Sequence, residues 1–118
     1  MSAIPFEIKV IHARQPLFVL QSDGSIQNGY TVKILNKLNE DLEVAITASG
    51  IEGLQLVGAE KPISARHGKV TPRTMFVRVP RASISGESMP VVFRAEGNGR
   101  NGQHFVSERQ SVFMGPGQ

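Results

Sequence analysis

The 118-residue sequence contains no cysteine and no tryptophan. The absence of cysteine excludes disulfides, thiolate zinc sites, cysteine-ligated iron–sulfur clusters and cysteine nucleophiles from this chain. No segment approaches the roughly 20 apolar residues that a membrane-spanning helix needs, since the longest apolar runs, such as residues 17–20, have the length of a strand. The first ten residues show no secretory signal. We therefore expect this fragment to be soluble.

Charge is also sparse, because 13 Lys and Arg against 10 Asp and Glu leave a formal charge of only +3. So small an excess does not imply a nucleic-acid partner. The length suits one domain, and 40% apolar residues can supply its core. We expect a single domain over residues 1–118, with a core at 4–113 and a flexible tail at 114–118.

Apolar and polar residues alternate with a period of two in several segments, which is typical of strands with one buried face. The last such segment, residues 104–113, carries apolar residues on both faces, so we expect a β-bulge or a twisted edge there. The clearest predicted strands cover residues 6–10, 30–34, 42–48, 75–79 and 91–96, and weaker candidates cover residues 17–21, 54–57 and 104–113.

Turn dipeptides separate these segments, and each contains a glycine that accepts a positive φ at little cost. Residues 31–42 show some helical spacing, but their β-branched start and later Asn and Asp residues favour a strand followed by a loop. Seven to eight short antiparallel strands predict an all-β, immunoglobulin-like or fibronectin-like sandwich, with a small β-barrel as the alternative. The predicted turns are Asp23-Gly24, Asn28-Gly29, Ser49-Gly50, His67-Gly68, Ser85-Gly86 and Asn101-Gly102.

Gly97, Gly99 and Gly102 match the GxGxxG pattern of dinucleotide sites. In such sites a helix must follow the glycines so that its N-terminus can hold the phosphates. The segment that follows here is strand-like, so the pattern indicates a glycine-rich hairpin loop. We predict no cofactor site in this chain.

Histidine and methionine side chains are possible ligands for reduced copper. Their spacing contains no local pair of the kind that metal sites use, and Met75 falls on the predicted core face. We therefore assign them core or surface roles and predict no metal site, while a copper carrier stays a third functional alternative. The residues concerned are His12, His67, His104, Met75, Met89 and Met114.

The nearest approach to a nucleophile elbow is the segment from Gly86 to Pro90, which includes Ser88. Proline replaces the final glycine of that motif, and no strand-turn-helix context surrounds it. We interpret it as a loop that enters a strand and predict no catalytic residue, so the chain is not expected to be an enzyme.

The middle of the chain is mildly basic, and a basic surface can meet phosphate, an anionic membrane or an acidic partner. Phe76 is the only aromatic residue in that region, so base stacking has little support and no nucleic-acid partner is predicted. A solvated face is the simpler interpretation. The basic residues are Arg66, His67, Lys69, Arg73, Arg78 and Arg81.

Residues 14–37 resemble the C-terminal domain of the FixG family, also called CcoG, the cytochrome c oxidase accessory proteins. The resemblance lies in PLFV at residues 16–19, SDGSI at 22–26, NGYT at 28–31 and KILNK at 33–37, and it continues more loosely to residue 116. The lead-in at residues 12–15 departs from the family's usual pattern. Structural roles also account for the matched block, since we expect Tyr30 and its neighbours to be buried and Asn36 to hydrogen-bond loop backbone where the strand ends.

The resemblance implies an immunoglobulin-like domain that follows the membrane helices of a larger, copper-reducing accessory protein for assembly of cbb-type cytochrome c oxidase. The family's iron–sulfur clusters would lie in that larger protein, with copper as its substrate. Oxidase subunits or assembly factors are the implied partners, and the periplasmic side of the bacterial inner membrane is the implied location. A non-catalytic positioning module is thus expected, and a free-standing adhesion or chaperone-like sandwich is the alternative.

Overall fold

Residues 4–116 are described by the computed structural model, and within them the chain forms nine strands and one 3₁₀ turn. That single turn, Arg81–Ser83, is the only helical segment in the described part, where no helix is long and apolar enough to cross a bilayer. Strands β1 to β9 comprise Phe6–His12, Val19–Leu20, Ile26–Asn36, Leu42–Ser49, Gln55–Val57, Ile63–Ala65, Lys69–Val79, Ser88–Asn98 and His104–Met114.

The strands form two antiparallel sheets that pack face to face. Sheet 1 has the order β1-β3-β7-β5, and β2 also pairs with the first residues of β3. Sheet 2 has the order β6-β4-β8-β9. The predicted immunoglobulin-like sandwich is confirmed. Two short elements, β6 and the 3₁₀ turn, were not predicted, because three residues are too few to show a periodicity.

The core lies between the sheets and is built by the predicted alternation. Along β3 every second residue is buried, and Tyr30, Val32 and Ile34 are all covered as expected. The Tyr30 ring packs edge-on against Phe93 of sheet 2, with the ring centroids 4.9 Å apart. Met75 is fully buried on the core face of β7, as its position in the sequence predicted.

Both prolines inside long strands lie where the neighbouring strand has ended. Pro72 is in β7, but β5 pairs only with residues 76–78 of that strand. Pro90 is in β8, but β4 pairs only with residues 92–98. A missing N–H is tolerated at such open positions, and proline there discourages pairing with another chain.

The open edges of β1 and β9 meet on one side of the sandwich, and side chains join them into what we call the seam. Ser107 Oγ accepts a hydrogen bond of 3.1 Å from the Ile8 N–H, and Arg109 Nε donates one of 2.8 Å to the Ile8 carbonyl. The two sheets are therefore connected without a continuous backbone ladder.

Asn28 and Tyr30 of β3 complete the seam on the β9 side. The Asn28 amide donates to the Met114 carbonyl at 2.8 Å and accepts from the Met114 N–H at 2.7 Å, as a neighbouring strand residue would. The Tyr30 hydroxyl donates to the Val112 carbonyl at 2.7 Å, and the His12 ring donates to Asn28 Oδ1. Within residues 4–116 no buried side-chain nitrogen or oxygen lacks a partner.

Three local predictions are corrected by the structure. Asn28-Gly29 is not a turn but lies inside β3, since burial of Asn28 at the seam outweighs its turn preference. Of the bulge or twisted edge expected in residues 104–113, the bulge is absent, because the register of β8 with β9 runs unbroken from Asn98 opposite His104 to Ser88 opposite Met114, while β9 does form an edge of sheet 2. Met114 is a strand residue and not the start of a tail, whereas residues 117–118 lie outside the described part.

Candidate interaction surface

The GxGxxG glycines lie in and beside the hairpin that joins β8 to β9. Gly97 is a buried strand residue whose Cα faces Leu42 and Phe6, and Gly102 adopts a φ of 74° in the turn. The strand β9 follows, so the predicted glycine-rich hairpin loop is confirmed. Gly99 packs against the Glu40 carboxylate.

The structure separates the three histidines rather than bringing them together. His12 bonds Asn28 at the seam, His67 Nδ1 lies 2.8 Å from Asp41, and His104 Nδ1 lies 2.9 Å from Asn98. No group of three or more His, Asp or Glu side chains converges within the described residues. Met75 is in the core, while Met89 and Met114 are half-buried.

The segment from Gly86 to Pro90 is a loop that enters β8 at Ser88, as predicted. The basic residues of the middle region do not form one patch. Arg73 and Arg78 lie on opposite faces of β7 because they are five residues apart in a strand. Arg78 is also engaged, since its Nε donates to Gln27 Oε1 at 2.7 Å.

A different cationic surface exists on the outer face of sheet 1, meaning the solvent-facing positions of β1, β2, β3, β5 and β7. The charged residues at these positions are Lys9, Lys33, Arg78 and Glu7, which leave an excess of two positive charges. Glu7 is already occupied, because it forms ion pairs with Lys37 and Arg109.

Lys9 and Lys33 lie directly opposite each other on β1 and β3. Like charges in this position repel, because the Cβ atoms of opposing residues lie only about 5 Å apart. Neither ammonium forms an ion pair or a side-chain hydrogen bond with any residue from 4 to 116. Sheet 1 thus carries a pair of like charges that no acidic side chain of residues 4–116 compensates.

The outer face of sheet 2 has the opposite net charge, and its arginine is paired with acids of the same face. Arg94 faces outward with Glu43, Glu96 and Glu108, which leaves an excess of two negative charges. The Arg94 guanidinium donates to Glu96 and Glu108 at 2.9 Å each. These bonds raise the pKa of Arg94 and lower the pKa of Glu96.

A mainly apolar groove of about 200 Å³ crosses the outer face of sheet 1 over Gly29. Ala13 and Pro16 of the β1–β2 loop line one side, and Phe76 of β7 lines the other. Thr31, also in the lining, is two residues from Lys33 along β3. The Gly29 backbone forms the floor, so the groove exists because this position has no side chain.

Two exposed aliphatic side chains lie beside this groove. Val19 is part of its lining, and Ile11 of β1, which is 49% exposed, lies opposite the lining residue Thr31. Leu17 and Leu20 are also exposed, but Leu17 lies beside Met114 and Leu20 lies opposite buried Ile26, so neither belongs to the groove. Residues 16–19 form the PLFV part of the matched block. Leu17 and Val19 are exposed and Phe18 is half-buried, and the alternation in residues 17–20 is too short to predict this from sequence.

The fold and the surface together define a two-sheet immunoglobulin-like domain with one open, cationic and apolar face. A family model described as "IG-like fold at C-terminal of FixG, putative oxidoreductase" matches residues 1–116. The chain belongs to this family, so the resemblance seen in residues 14–37 is confirmed.

Known relatives are similar over part of their length. The chain is 36% identical to the nitrogen fixation protein FixG of Rhizobium meliloti over 67% of this chain and 17% of that protein. It is 41% identical to the protein RdxB of Cereibacter sphaeroides over 46% of this chain and 12% of that protein. The chain therefore corresponds to less than a fifth of these relatives.

A solved structure shows the same fold. The crystal structure of a FixG-related protein from Vibrio parahaemolyticus aligns with a TM-score of 0.70 at 19% identity. The alignment covers 95% of this chain and 97% of that chain. That solved chain is thus almost entirely a domain of this fold.

Proposed function

We propose that this chain is the non-catalytic interaction and positioning domain of a longer, membrane-bound FixG-type protein that reduces copper during assembly of cbb-type cytochrome c oxidase. The observation that carries the proposal is the family match over residues 1–116 in a chain that spans 17% of the FixG relative. Redox chemistry would then belong to the remaining sequence.

The polar groups of the domain support a structural and docking role. The buried polar residues Asn28 and Asn36 are used within the fold, the first at the seam and the second on Glu40 and Ala65 carbonyls. Cysteine thiolates ligate most iron–sulfur clusters, and this chain has none to offer. Its contribution would come from its surface, in contact with oxidase subunits or assembly factors.

The test is a deletion of the segment that corresponds to residues 4–116 in a full-length FixG-type protein. We expect the truncated protein to stay in the membrane and to reduce copper in membrane vesicles, while the amount of assembled cbb-type oxidase falls. A normal amount of oxidase beside a stable truncated protein would contradict the proposal. Loss of copper reduction would also contradict it, because the domain would then take part in the chemistry.

The periplasmic location has its own test. Alkaline phosphatase fused after Gln118 in the full-length protein should be active, because this enzyme matures only in an oxidising compartment. Green fluorescent protein fused at the same point and exported through the same route should be dark. The reverse pattern would place the domain on the cytoplasmic side.

A further inference from the structure

Gly29 lies in the middle of β3 and has no conformational reason to be glycine. Its φ is not in the left-handed region, where only Gly24, Gly50, Gly53, Gly58, Gly68 and Gly102 are found among the described residues. Glycine weakens a strand interior, and it often marks a position where a ligand or another chain approaches closely. The glycine at position 29 is therefore explained by the open space that a missing side chain leaves, and not by a turn in the backbone.

The space above Gly29 is open but small. A Cβ built there would lie 3.4 Å from the Phe76 ring and 3.5 Å from Ala13 Cβ, which is ordinary contact. An alanine would thus fit at position 29, and a larger side chain would fill the groove. A groove of about 200 Å³ has room for one apolar side chain of a partner.

The charges beside the groove indicate the chemistry of that partner. Lys33 is four residues from Gly29 on the same face of β3, a separation of about 13 Å along a strand. Lys9 stands opposite Lys33, and the only outward acid of sheet 1, Glu7, is already paired. Carboxylates three or four residues from an apolar anchor in an extended peptide could reach both ammonium groups.

We propose that the groove over Gly29 binds an acidic segment of a protein partner, which inserts one apolar side chain and places its carboxylates on Lys9 and Lys33. Exposed Val19 lines the groove and exposed Ile11 lies opposite the lining residue Thr31, so both extend the apolar contact. A partner carboxylate relieves the repulsion between the two lysines, so charge complementarity favours an acidic occupant. This inference rests on the proposed function, since it names the surface and the kind of partner.

The direct test is a titration of the ¹⁵N-labelled chain with a short synthetic peptide that has a central leucine and two glutamates at each end. We expect amide shifts centred on Gly29, Thr31 and Phe76. Replacing the leucine with serine should weaken binding several-fold, and replacing the glutamates with lysines should abolish it. No shifts at the groove with the leucine and glutamate peptide would overturn the proposal.

Three variants separate the apolar anchor from the charge. Gly29→Leu should abolish peptide binding by filling the groove, and Gly29→Ala should weaken it while the unfolding midpoint stays the same or rises. Lys9→Glu with Lys33→Glu should weaken binding about tenfold. The matched control is Val106→Glu on sheet 2, where Val106 is 43% exposed, and it should bind as the unchanged chain does.

An anionic membrane is the competing occupant and forms a further arm of the experiment. Vesicles of phosphatidylglycerol should bind weakly, and Gly29→Leu should not alter that binding. If vesicles bound more tightly than the peptide and depended on Lys9 and Lys33, the protein-partner proposal would be wrong.

The full-length protein distinguishes this inference from the proposed function. Gly29→Leu should reduce the amount of assembled oxidase as strongly as deletion of the domain does. If the deletion reduces it and Gly29→Leu does not, the domain acts in assembly through another surface. If neither change reduces it, the proposed function fails as well.

Discussion

The seam and the outer face of sheet 1 differ in whether their polar groups have partners within the chain. At the seam, the free backbone groups of Ile8 and Met114 and the Val112 carbonyl are all paired with side chains of the same chain. On the outer face, Lys9 and Lys33 oppose each other without a counterion from the described residues. The polar groups of the seam are satisfied within the domain, whereas the two lysines of the outer face would need a counterion from another molecule.

This difference separates residues that serve folding from residues that serve contact. A buried hydrogen-bonding group left unpaired costs about 1–3 kcal/mol, so substitutions at the seam should be read as losses of stability. Exposed residues away from such features change stability by only about 0.5 kcal/mol. Substitutions on the outer face should therefore change binding and leave the fold intact.

The largest effect on stability is expected from Asn28→Leu. The substitution leaves the Met114 N–H and carbonyl without partners at a site where Asn28 is 0% exposed, which should cost about 2–5 kcal/mol. Urea unfolding followed by circular dichroism measures the loss. Asn39→Leu, at an exposed loop position, is the matched control and should cost little. Equal stability of both variants would mean that the seam contributes nothing.

A smaller loss is expected from Tyr30→Phe, which removes one hydroxyl and leaves the Val112 carbonyl unpaired. The cost should be about 1–2 kcal/mol, because the ring and its packing on Phe93 remain. Thermal unfolding of the two proteins side by side gives the difference. An unchanged midpoint would show that water reaches the Val112 carbonyl.

The buried phenol of Tyr30 should also make the stability of the fold depend on pH in the alkaline range. Burial raises the pKa of its phenol above the ordinary value of 10.0, so the folded state holds the proton more tightly than the unfolded state. Its contribution is therefore complete below pH 10 and declines as the pH rises further. Tyr30 is the only tyrosine, so near-ultraviolet absorbance of tyrosinate should appear only together with unfolding. Ionisation that precedes loss of the circular dichroism signal would contradict this.

A substitution on the outer face of sheet 1 should change stability in the opposite direction. Lys9→Glu replaces a repulsive cross-strand pair with an attractive one and should raise the free energy of unfolding by about 0.2–1 kcal/mol. The same variant should bind the acidic peptide less well, so stability and binding move apart. Lys61→Glu, in an exposed loop, should change stability little. A loss of stability in Lys9→Glu would mean that Lys9 has a role in the fold.

The sequence alone predicted the sandwich, because an alternation such as that of β3 and β4 is strong over eight or more residues. It missed β6, which has three residues, and it placed a turn at Asn28-Gly29. That error has a physical reason. Asparagine and glycine favour turns by local energetics, but the partner that holds Asn28 in a strand is Met114, 86 residues away.

The interaction surface was less accessible to prediction than the fold. The opposition of Lys9 and Lys33 depends on the register of β1 with β3, and the groove depends on Phe76 of β7 lying beside Gly29. Neither contact has a signature in a single sequence. One signal was present, since a glycine between strand-forming residues indicates a close approach even where no turn follows.

The smallest predicted effect concerns Asp23, a carboxylate that is exposed and yet satisfied. Its Oδ1 accepts hydrogen bonds from the Ser25 hydroxyl at 2.7 Å and the Ser25 N–H at 2.9 Å, and these lower the pKa of Asp23. Because the folded pKa is below the ordinary 3.8, the charge stabilises the fold above that pH and ceases to do so as the pH falls through the lowered value. Asp23→Asn keeps an acceptor without the charge, so it should be slightly less stable than the unchanged chain near neutral pH. That gap should close in acid, and urea unfolding at a series of pH values measures it. If the difference in stability persisted at the lowest pH, the effect would come from the shape of the loop and not from the charge. The Asp23 contact would then stabilise the fold through its geometry, as the contacts of the seam do.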